Sequence, residues 1–342
     1  MALAKPTEAQ GSWIWRPEPG RLEIEAPSGT PLSDLGGVWS LDALDKMLEG
    51  LSRGRLGRAL ATGEGSVLCP LRLSTGQDVH LAGMFTSEVE ARGILMTGEK
   101  FPEIDPSELK PGPDLVPVYQ PIISLRDGRV VGFEALARWT GPAHTAPPSR
   151  WEDQALASNM LIRAAETLAD LRREAKRDDL FMHVNLTARE LTKSTIPALI
   201  DALTTSYQLP ERAIRIELTE QAALRDETKT LASAMALKAV GAGLVLDDFG
   251  TGHSSFAWLA DLPFDSLKID HGLTAKLGQA RTDTILSTIT LLASRLGMST
   301  TAEGVEKRED AARLRALGFD NAQGFAFSKG VDAKAALKFL KG

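Results

Sequence analysis

Gly243-Leu244-Val245-Leu246-Asp247-Asp248-Phe249-Gly250-Thr251-Gly252 sets two adjacent carboxylates at the end of an apolar run and follows them with glycines. A run of this length bounded by glycines reads as a buried strand. Side chains alternate along a strand, so Asp247 and Asp248 are expected to leave its end in different directions. The glycines let backbone or ligand come close. Two acids at the mouth of a buried strand are unfavourable unless something cationic meets them. An Asp-rich helix cap or turn explains most strings of this kind. The other strands must decide.

Similar runs lie on both sides, over residues 116–124, 130–139, 181–187, 214–220, 266–270, 299–305 and 322–327. Helical patterns fall between them. The clearest spans 152–176, with Leu156, Met160, Ala164, Leu168 and Leu171 on one stripe. Another spans 284–296, with Gly297 at the C′ position. Eight strands alternating with helices over about 230 residues predict an α/β fold, a (β/α)₈ TIM-like barrel. A doubly wound open sheet is the competitor. The Arg126-Asp127-Gly128 turn is too short for a parallel crossover, so the first two strands form a hairpin and one barrel strand runs antiparallel.

The N-terminal third reads differently. Residues 1–10 look like a flexible tail. Trp13-Ile14-Trp15-Arg16-Pro17 and then Arg21-Leu22-Glu23-Ile24-Glu25-Ala26 alternate like half-buried strands. Spacing turns helical between Ser40, a plausible N-cap, and Ala61. Strand patterns return at 66–73, 79–85 and 91–97, the first two joined across Ser74-Thr75-Gly76-Gln77. This order predicts a small α+β domain over 11–100 that resembles a degenerate PAS domain. The resemblance implies a dimerising, signal-receiving module, and no residue in it identifies a ligand. Trp13 and Trp15 read as core or interface residues. Residues 101–114 carry four prolines, which block helix and sheet pairing, and form the linker to a domain over 115–342.

Bulk properties narrow the function. At 342 residues, 43% hydrophobic and 25% charged, the chain is expected to be a soluble globular protein of about two domains. A net charge of -6 argues against binding polymeric nucleic acid, though a small anion held through metal ions remains allowed. The single cysteine, Cys69, excludes an intrachain disulfide and fits a reducing compartment. No signal-peptide core and no membrane-length apolar stretch is visible, so a cytoplasmic location away from membranes is expected.

The polar residues that interrupt the strands gather near their carboxyl ends, where a barrel of this kind places its chemistry. They are Glu134 with Arg138 on the same face, Asn185, Glu217 and Glu220, Asp247 and Asp248, Lys268 with Asp270, Glu303 with Glu306, and Gln323. Singly, each has an ordinary explanation: a lone strand acid pairs with a base, and a lone Asn satisfies backbone. Jointly they converge on one mouth. Two carboxylates ~4 Å apart repel by about 4 kcal/mol at an effective dielectric near 20. Either several acids are protonated or cations sit among them. The donors are oxygens, and the five histidines fall in no zinc-ligand spacing, so Mg²⁺ or Mn²⁺ is favoured. A bridging carboxylate such as Asp247 suits two ions ~3.5–4 Å apart, an arrangement that clamps a phosphodiester. Lys268 and Arg138 could then neutralise substrate charge.

Seven ordered motifs carry a resemblance to a known family. Glu134-Ala135-Leu136, Val184-Asn185-Leu186-Thr187, Glu217-Leu218-Thr219-Glu220, Asp247 to Gly252, Lys268-Ile269-Asp270, Ala302-Glu303-Gly304-Val305-Glu306 and Gln323-Gly324-Phe325 resemble the EAL domain of cyclic di-GMP phosphodiesterases. The resemblance implies hydrolysis of cyclic di-GMP to linear pGpG with two metal ions. It implies Glu134, Asn185, Glu217 and Asp247 as ligands of the first ion, and Asp247 with Asp248 at the second. Glu303 resembles a metal ligand or general base, and Lys268 the residue that positions the attacking water. Gln120, Arg138, Asp270, Gln323 and Glu306 fall on the substrate side. Glu220 resembles the acid that braces the loop after Asp248, so Glu220, Phe249, Gly250, Thr251 and Gly252 are expected to couple a homodimer to the metals. Ca²⁺ is expected to inhibit through its larger, looser coordination.

There are departures. Ser328-Lys329-Gly330 stands where the family usually has a proline, residues 140–144 lack the usual Gly-rich pattern, and His253 replaces a frequent aromatic. None removes a metal ligand. Two other readings compete: a non-catalytic cyclic di-GMP receptor on the same fold, and an enolase-type barrel. The latter predicts acidic ligands and a lysine base but neither the Asp-Asp-Phe-Gly-Thr-Gly loop nor the opening hairpin.

Overall fold

The structure, a computed structural model, describes residues 9–26, 28–30, 32–49, 53–61, 66–87, 89–97, 115–139, 156–191, 195–219, 227–250, 259, 262 and 264–341. The apolar residues form two separate cores. The smaller one lies under a six-stranded antiparallel sheet of β1 (Ala9–Arg16), β2 (Arg21–Glu25), β3 (Gly37–Trp39), β4 (Ser66–Arg72), β5 (Asp78–Ser87) and β6 (Glu90–Thr97), in the order β3-β2-β1-β6-β5-β4. Trp13 and Trp15 alternate inward with Leu22, Ile24, Leu81 and Leu95. The Trp13 indole donates to Ile94 O at 3.0 Å, so this buried ring carries no orphaned N–H. Ser40 caps α1 (Leu41–Asp45), its hydroxyl accepting from Ala43 N at 3.2 Å.

Three expectations shift here. The helical pattern over 40–61 contains two short helices, α1 and α2 (Arg55–Leu60), and a bridge at Leu48 to Leu73 lies between them. β1 begins at Ala9, inside the expected tail. β3 is a short edge strand that carried no alternation signal, with Gly37 and Val38 exposed. The expected linker 101–114 lies outside the described residues.

The larger core fills and surrounds a closed eight-stranded barrel. Its strands are β7 (Leu115–Ser124), β8 (Val130–Trp139), β9 (Phe181–Asn185), β10 (Ile214–Thr219), β11 (Gly243–Phe249), β12 (Ser266–Ile269), β13 (Ser299–Ala302) and β14 (Asn321–Ala322). β7 runs antiparallel to both neighbours, β8 and β14, and every other pairing is parallel. The hairpin and the single antiparallel strand are therefore present, and the open-sheet alternative is excluded. Outside the strands lie α3 (Leu156–Ala175), α4 (Ala188–Leu191), α5 (Thr195–Ser206), α6 (Glu227–Ala239), α7 (His271–Thr274), α8 (Ala280–Arg295), α9 (Asp310–Ala316) and α10 (Ala333–Lys341). On α3 the stripe of Met160, Ala164, Leu168 and Leu171 is buried. Gly297 follows α8 with φ 73°, the left-handed stop its position implied.

β13 and β14 are shorter than the apolar pattern suggested. The reason is the contact between the segments that follow them. Val305 N donates to Gln323 O at 3.0 Å, and a Cβ on Gly324 would lie 2.2 Å from Val305 O. Only glycine allows two backbones so close. Glu303 and Gln323 thus stand just beyond their strands, over the barrel end.

Candidate active site

Lys268 occupies the centre of the site. It is 1% exposed, on β12, and its ammonium meets four carboxylates: Glu217 Oε1 at 2.6 Å, Glu303 Oε1 at 2.7 Å, Asp247 Oδ1 at 3.2 Å and Glu134 Oε2 at 3.3 Å. Each acid comes from a different strand or its exit, so closing the barrel assembles them. Amides fill the rim. Gln323 Nε2 donates to Glu134 Oε2 at 2.7 Å and to Gln120 Oε1 at 3.0 Å. Asn185 Nδ2 donates to Glu134 Oε1 at 2.9 Å, and Gln120 Nε2 to Ser328 O at 3.1 Å.

The Asp pair departs from simple alternation. Pairing between β11 and β12 slips between Leu246 and Phe249: Leu246 faces Leu267 and Phe249 faces Ile269. Asp247 and Asp248 together oppose Lys268, a bulge of two residues against one. Asp248 takes φ 57°, in the left-handed region that costs a non-glycine residue energy. The bulge re-aims both acids. Asp247, Asp248 and Glu303 each offer an oxygen within 4.8 Å of the others, where alternation had predicted divergence.

Charge at the site is unbalanced. Burial works against the Lys268 ammonium, yet Glu217, Glu134, Glu303 and Asp247 outweigh it and hold its pKa well above the ordinary lysine value. Burial, with Glu134 close by, pushes the Glu217 carboxyl well up despite Lys268. Burial also raises Glu303 to about 7 against the pull of Lys268. Glu134 goes the other way: burial opposes its charge, but Lys268, Gln323 and Asn185 more than compensate and lower its pKa. One ammonium therefore does not offset the charge of four acids.

The donor set fits divalent cations. Buried Glu217 Oε2 and Gln323 Oε1 make no hydrogen bond, and Asp247 Oδ1 has only the Lys268 ammonium at 3.2 Å. All three are hard oxygen acceptors, the kind Mg²⁺ and Mn²⁺ prefer, and buried acceptors left unpaired are costly. Asp247, Asp248 and Glu303, whose oxygens lie within 4.8 Å of one another, could share such an ion. Beside them opens a cavity of about 390 Å³, lined in part by Gln120, Glu134, Leu136, Glu303, Glu306 and Gln323.

Not every expected site residue joins this group. Asp270 turns away to cap α7, its Oδ1 accepting from Gly272 N at 2.7 Å. Arg138 is exposed at the end of β8 and donates to Ala137 O. Phe249 is buried in the barrel core, and Gly250 directly follows it. Glu220, Thr251 and Gly252 lie outside the described residues, as do residues 140–144 and His253. Two histidines escaped the sequence reading. His271 lines the cavity with its Nδ1 3.2 Å from Gly304 O. His183, buried below the acids, meets Glu217 at 2.7 Å. Zinc-ligand spacing was the wrong screen for them. The alternation Phe181, His183, Asn185 would have put His183 on the same strand face as a suspected ligand.

A barrel with one antiparallel strand, with acids, one lysine and amides at its strand ends and a cavity above them, fits a class of barrel hydrolases. The EAL-domain family profile matches residues 109–330, and the chain belongs to that family. The enzyme class that fits is the EAL-type phosphodiesterase. The uncharacterized protein Rv1357c of Mycobacterium tuberculosis is 34% identical over 229 residues, covering 62% of this chain and 74% of that protein. The cyclic di-GMP phosphodiesterase RocR of Pseudomonas aeruginosa is 32% identical, covering 66% of this chain and 59% of RocR. Among solved structures, the EAL enzyme Bd1971 in its cAMP- and cyclic-di-GMP-bound form superposes with a TM-score of 0.60 at 29% identity, covering 67% of this chain and 65% of that one.

Proposed function

We propose that the chain hydrolyses cyclic di-GMP to linear pGpG at the barrel mouth, using two Mg²⁺ or Mn²⁺ ions. The imbalance around Lys268 carries this reading: one ammonium among four carboxylates, with two buried oxygens lacking a donor. The substrate follows from RocR and from the cyclic-di-GMP-bound neighbour. Ions bound there would polarise the phosphodiester and make water a better nucleophile. Glu303, its carboxyl raised to about 7, is suited to accept a proton from the attacking water near neutral pH. Lys268, 2.7 Å away, orients Glu303 and offsets charge that builds on phosphate. Gln120 and Gln323 hold the rim, and Glu306 and Leu136 line the space for substrate. Arg138, exposed at the end of β8, has guanidinium N–H groups beyond the one on Ala137 O with which to meet a phosphate. Replacing Mg²⁺ with Ca²⁺ stops turnover.

The N-terminal sheet is read as a PAS-like regulatory domain over about residues 11–100, and the working assembly as a cytoplasmic homodimer. Support for regulation comes from α6. That helix leads from the strand of Glu217 to the strand of the Asp pair, and it packs against β5 and β6 as well as β11. Ser233, Ala234, Met235, Ala236 and Leu237 are all buried, so the helix is covered on every side over that turn. Among the described residues, no helix is long and apolar enough to cross a membrane.

The deciding experiment incubates the purified full chain with cyclic di-GMP and Mg²⁺ and follows pGpG. Product that appears with Mg²⁺ and vanishes with a chelator is expected. Binding without product would replace this reading with the receptor one.

A further inference from the structure

Beneath the acids, the barrel interior holds side chains that the proposed chemistry leaves unused. Phe181 and His183 stack on β9 with centroids 5.0 Å apart and planes at 28°. The Arg215 guanidinium lies 3.5 Å from the centroid of the Phe181 ring, a cation–π contact in a buried setting. Room for that ring comes from Gly132, where a Cβ would stand 2.5 Å from it. Arg215, Phe181 and His183 thus form a packed pedestal under Glu217.

His183 is 1% exposed, and its Nδ1 lies 2.7 Å from Glu217 Oε1. An imidazole nitrogen either donates or accepts, according to where the proton sits, and Nδ1 is the one that faces Glu217. Oε1 already accepts from the Lys268 ammonium at 2.6 Å, which makes it the acceptor towards His183 too. The proton therefore sits on Nδ1. Nε2 is buried with no partner, so the imidazole makes one hydrogen bond and directs it at Glu217. The other carboxylate oxygen, Oε2, makes none.

We infer that His183 is a positioning residue: together with Lys268 it pins Glu217 Oε1 and so leaves Oε2 as the oxygen presented to a cation. The terminal torsion of a glutamate is broad and roughly two-fold, so an unpinned carboxylate would exchange its oxygens. Outer partners that orient ligands in this way typically change metal affinity 10–100-fold when removed. The inference rests on Glu217 being a ligand of the cations proposed above.

The test titrates Mn²⁺ into the chelator-stripped full chain by calorimetry, with no substrate present. His183→Phe keeps a ring on Phe181 but loses the donor, and its Mn²⁺ affinity is expected to fall about 10–100-fold. His183→Asn places an amide nitrogen where Nδ1 stood and is expected to stay within about threefold of wild type. His183→Gln extends its amide towards the Nε2 position and should fall with the Phe variant. If His183→Phe does not fold, the Asn and Gln variants carry the test alone. Wild-type affinity in the Phe or Gln variant, or an Asn variant as weak as the Gln one, would overturn the inference while leaving the metal reading intact. A wild-type chain that takes up no Mn²⁺ overturns both, and so separates the two failures.

Discussion

The barrel has buried ion pairing at each end of its strands, and the two sites are built on opposite principles. At the amino-terminal end, Asp265 receives Lys238 through both oxygens at 2.8 and 2.7 Å, Leu244 N at 2.8 Å, and Arg212 at 3.3 Å. There one acid meets two cations and a backbone donor, so it is fully satisfied. At the carboxyl-terminal end, one cation serves four acids, and two buried oxygens are left without donors. Barrels concentrate stability at one end and chemistry at the other. Here the distinction shows in the charge count. Buried oxygens without donors are costly, and a bound divalent cation would complete them.

The largest test of that contrast is at the mouth. Glu134→Ala or Asp247→Ala should lower turnover roughly a thousandfold, as loss of a transition-state stabilising group does, while with Asp247→Ala the thermal midpoint holds or rises because one of four carboxylates around a single ammonium is gone. Kinetics and calorimetry on the same preparation read both. Asp265→Ala should invert the pattern. Removing it strands Lys238, whose side chain is 8% exposed, and should cost about 3 kcal/mol in denaturant unfolding with turnover per folded molecule unchanged.

A pH series sharpens the comparison further. Glu303 is raised from 4.5 to about 7 in the folded chain. Between those values the folded state keeps a proton that the unfolded state has released. Its contribution to stability is complete below pH 4.5 and is lost as pH rises to about 7. In chelator, stability should fall across that window by at most about 1.4 kcal/mol per pH unit from this group, and Glu303→Gln should flatten the slope. Glu217, also raised, acts in the same direction. The smallest expected effect lies away from both ends. Ser40→Ala removes the cap on α1 and should cost about 1 kcal/mol locally, with turnover untouched.

Much of this was legible in the sequence, for a physical reason. Each mouth residue interrupts an apolar strand run, as Glu217 does between Ile216 and Leu218, and the short Arg126-Asp127-Gly128 turn required the antiparallel strand. What escaped depends on contacts between distant segments. The bulge that gathers Asp247 and Asp248 is set by pairing with Lys268, not by local pattern. β14 stops at Ala322 because Gly324 lies against Val305. Asp270 looked like a site acid, yet its nearest donor is the backbone of the next turn. His183 was passed over because zinc-ligand spacing does not register it; its alternation with Asn185 marks the shared face, but the partner Glu217 lies 34 residues on.

The central claim is that the mouth is completed by divalent cations and the opposite end is not. Crystals of the chain grown with Mn²⁺, with anomalous scattering mapped at the manganese edge, test it most directly. The account predicts density beside Glu217 Oε2 and Asp247 Oδ1, and none near Asp265. An empty mouth at saturating Mn²⁺, with Lys268 alone among the acids, would contradict it.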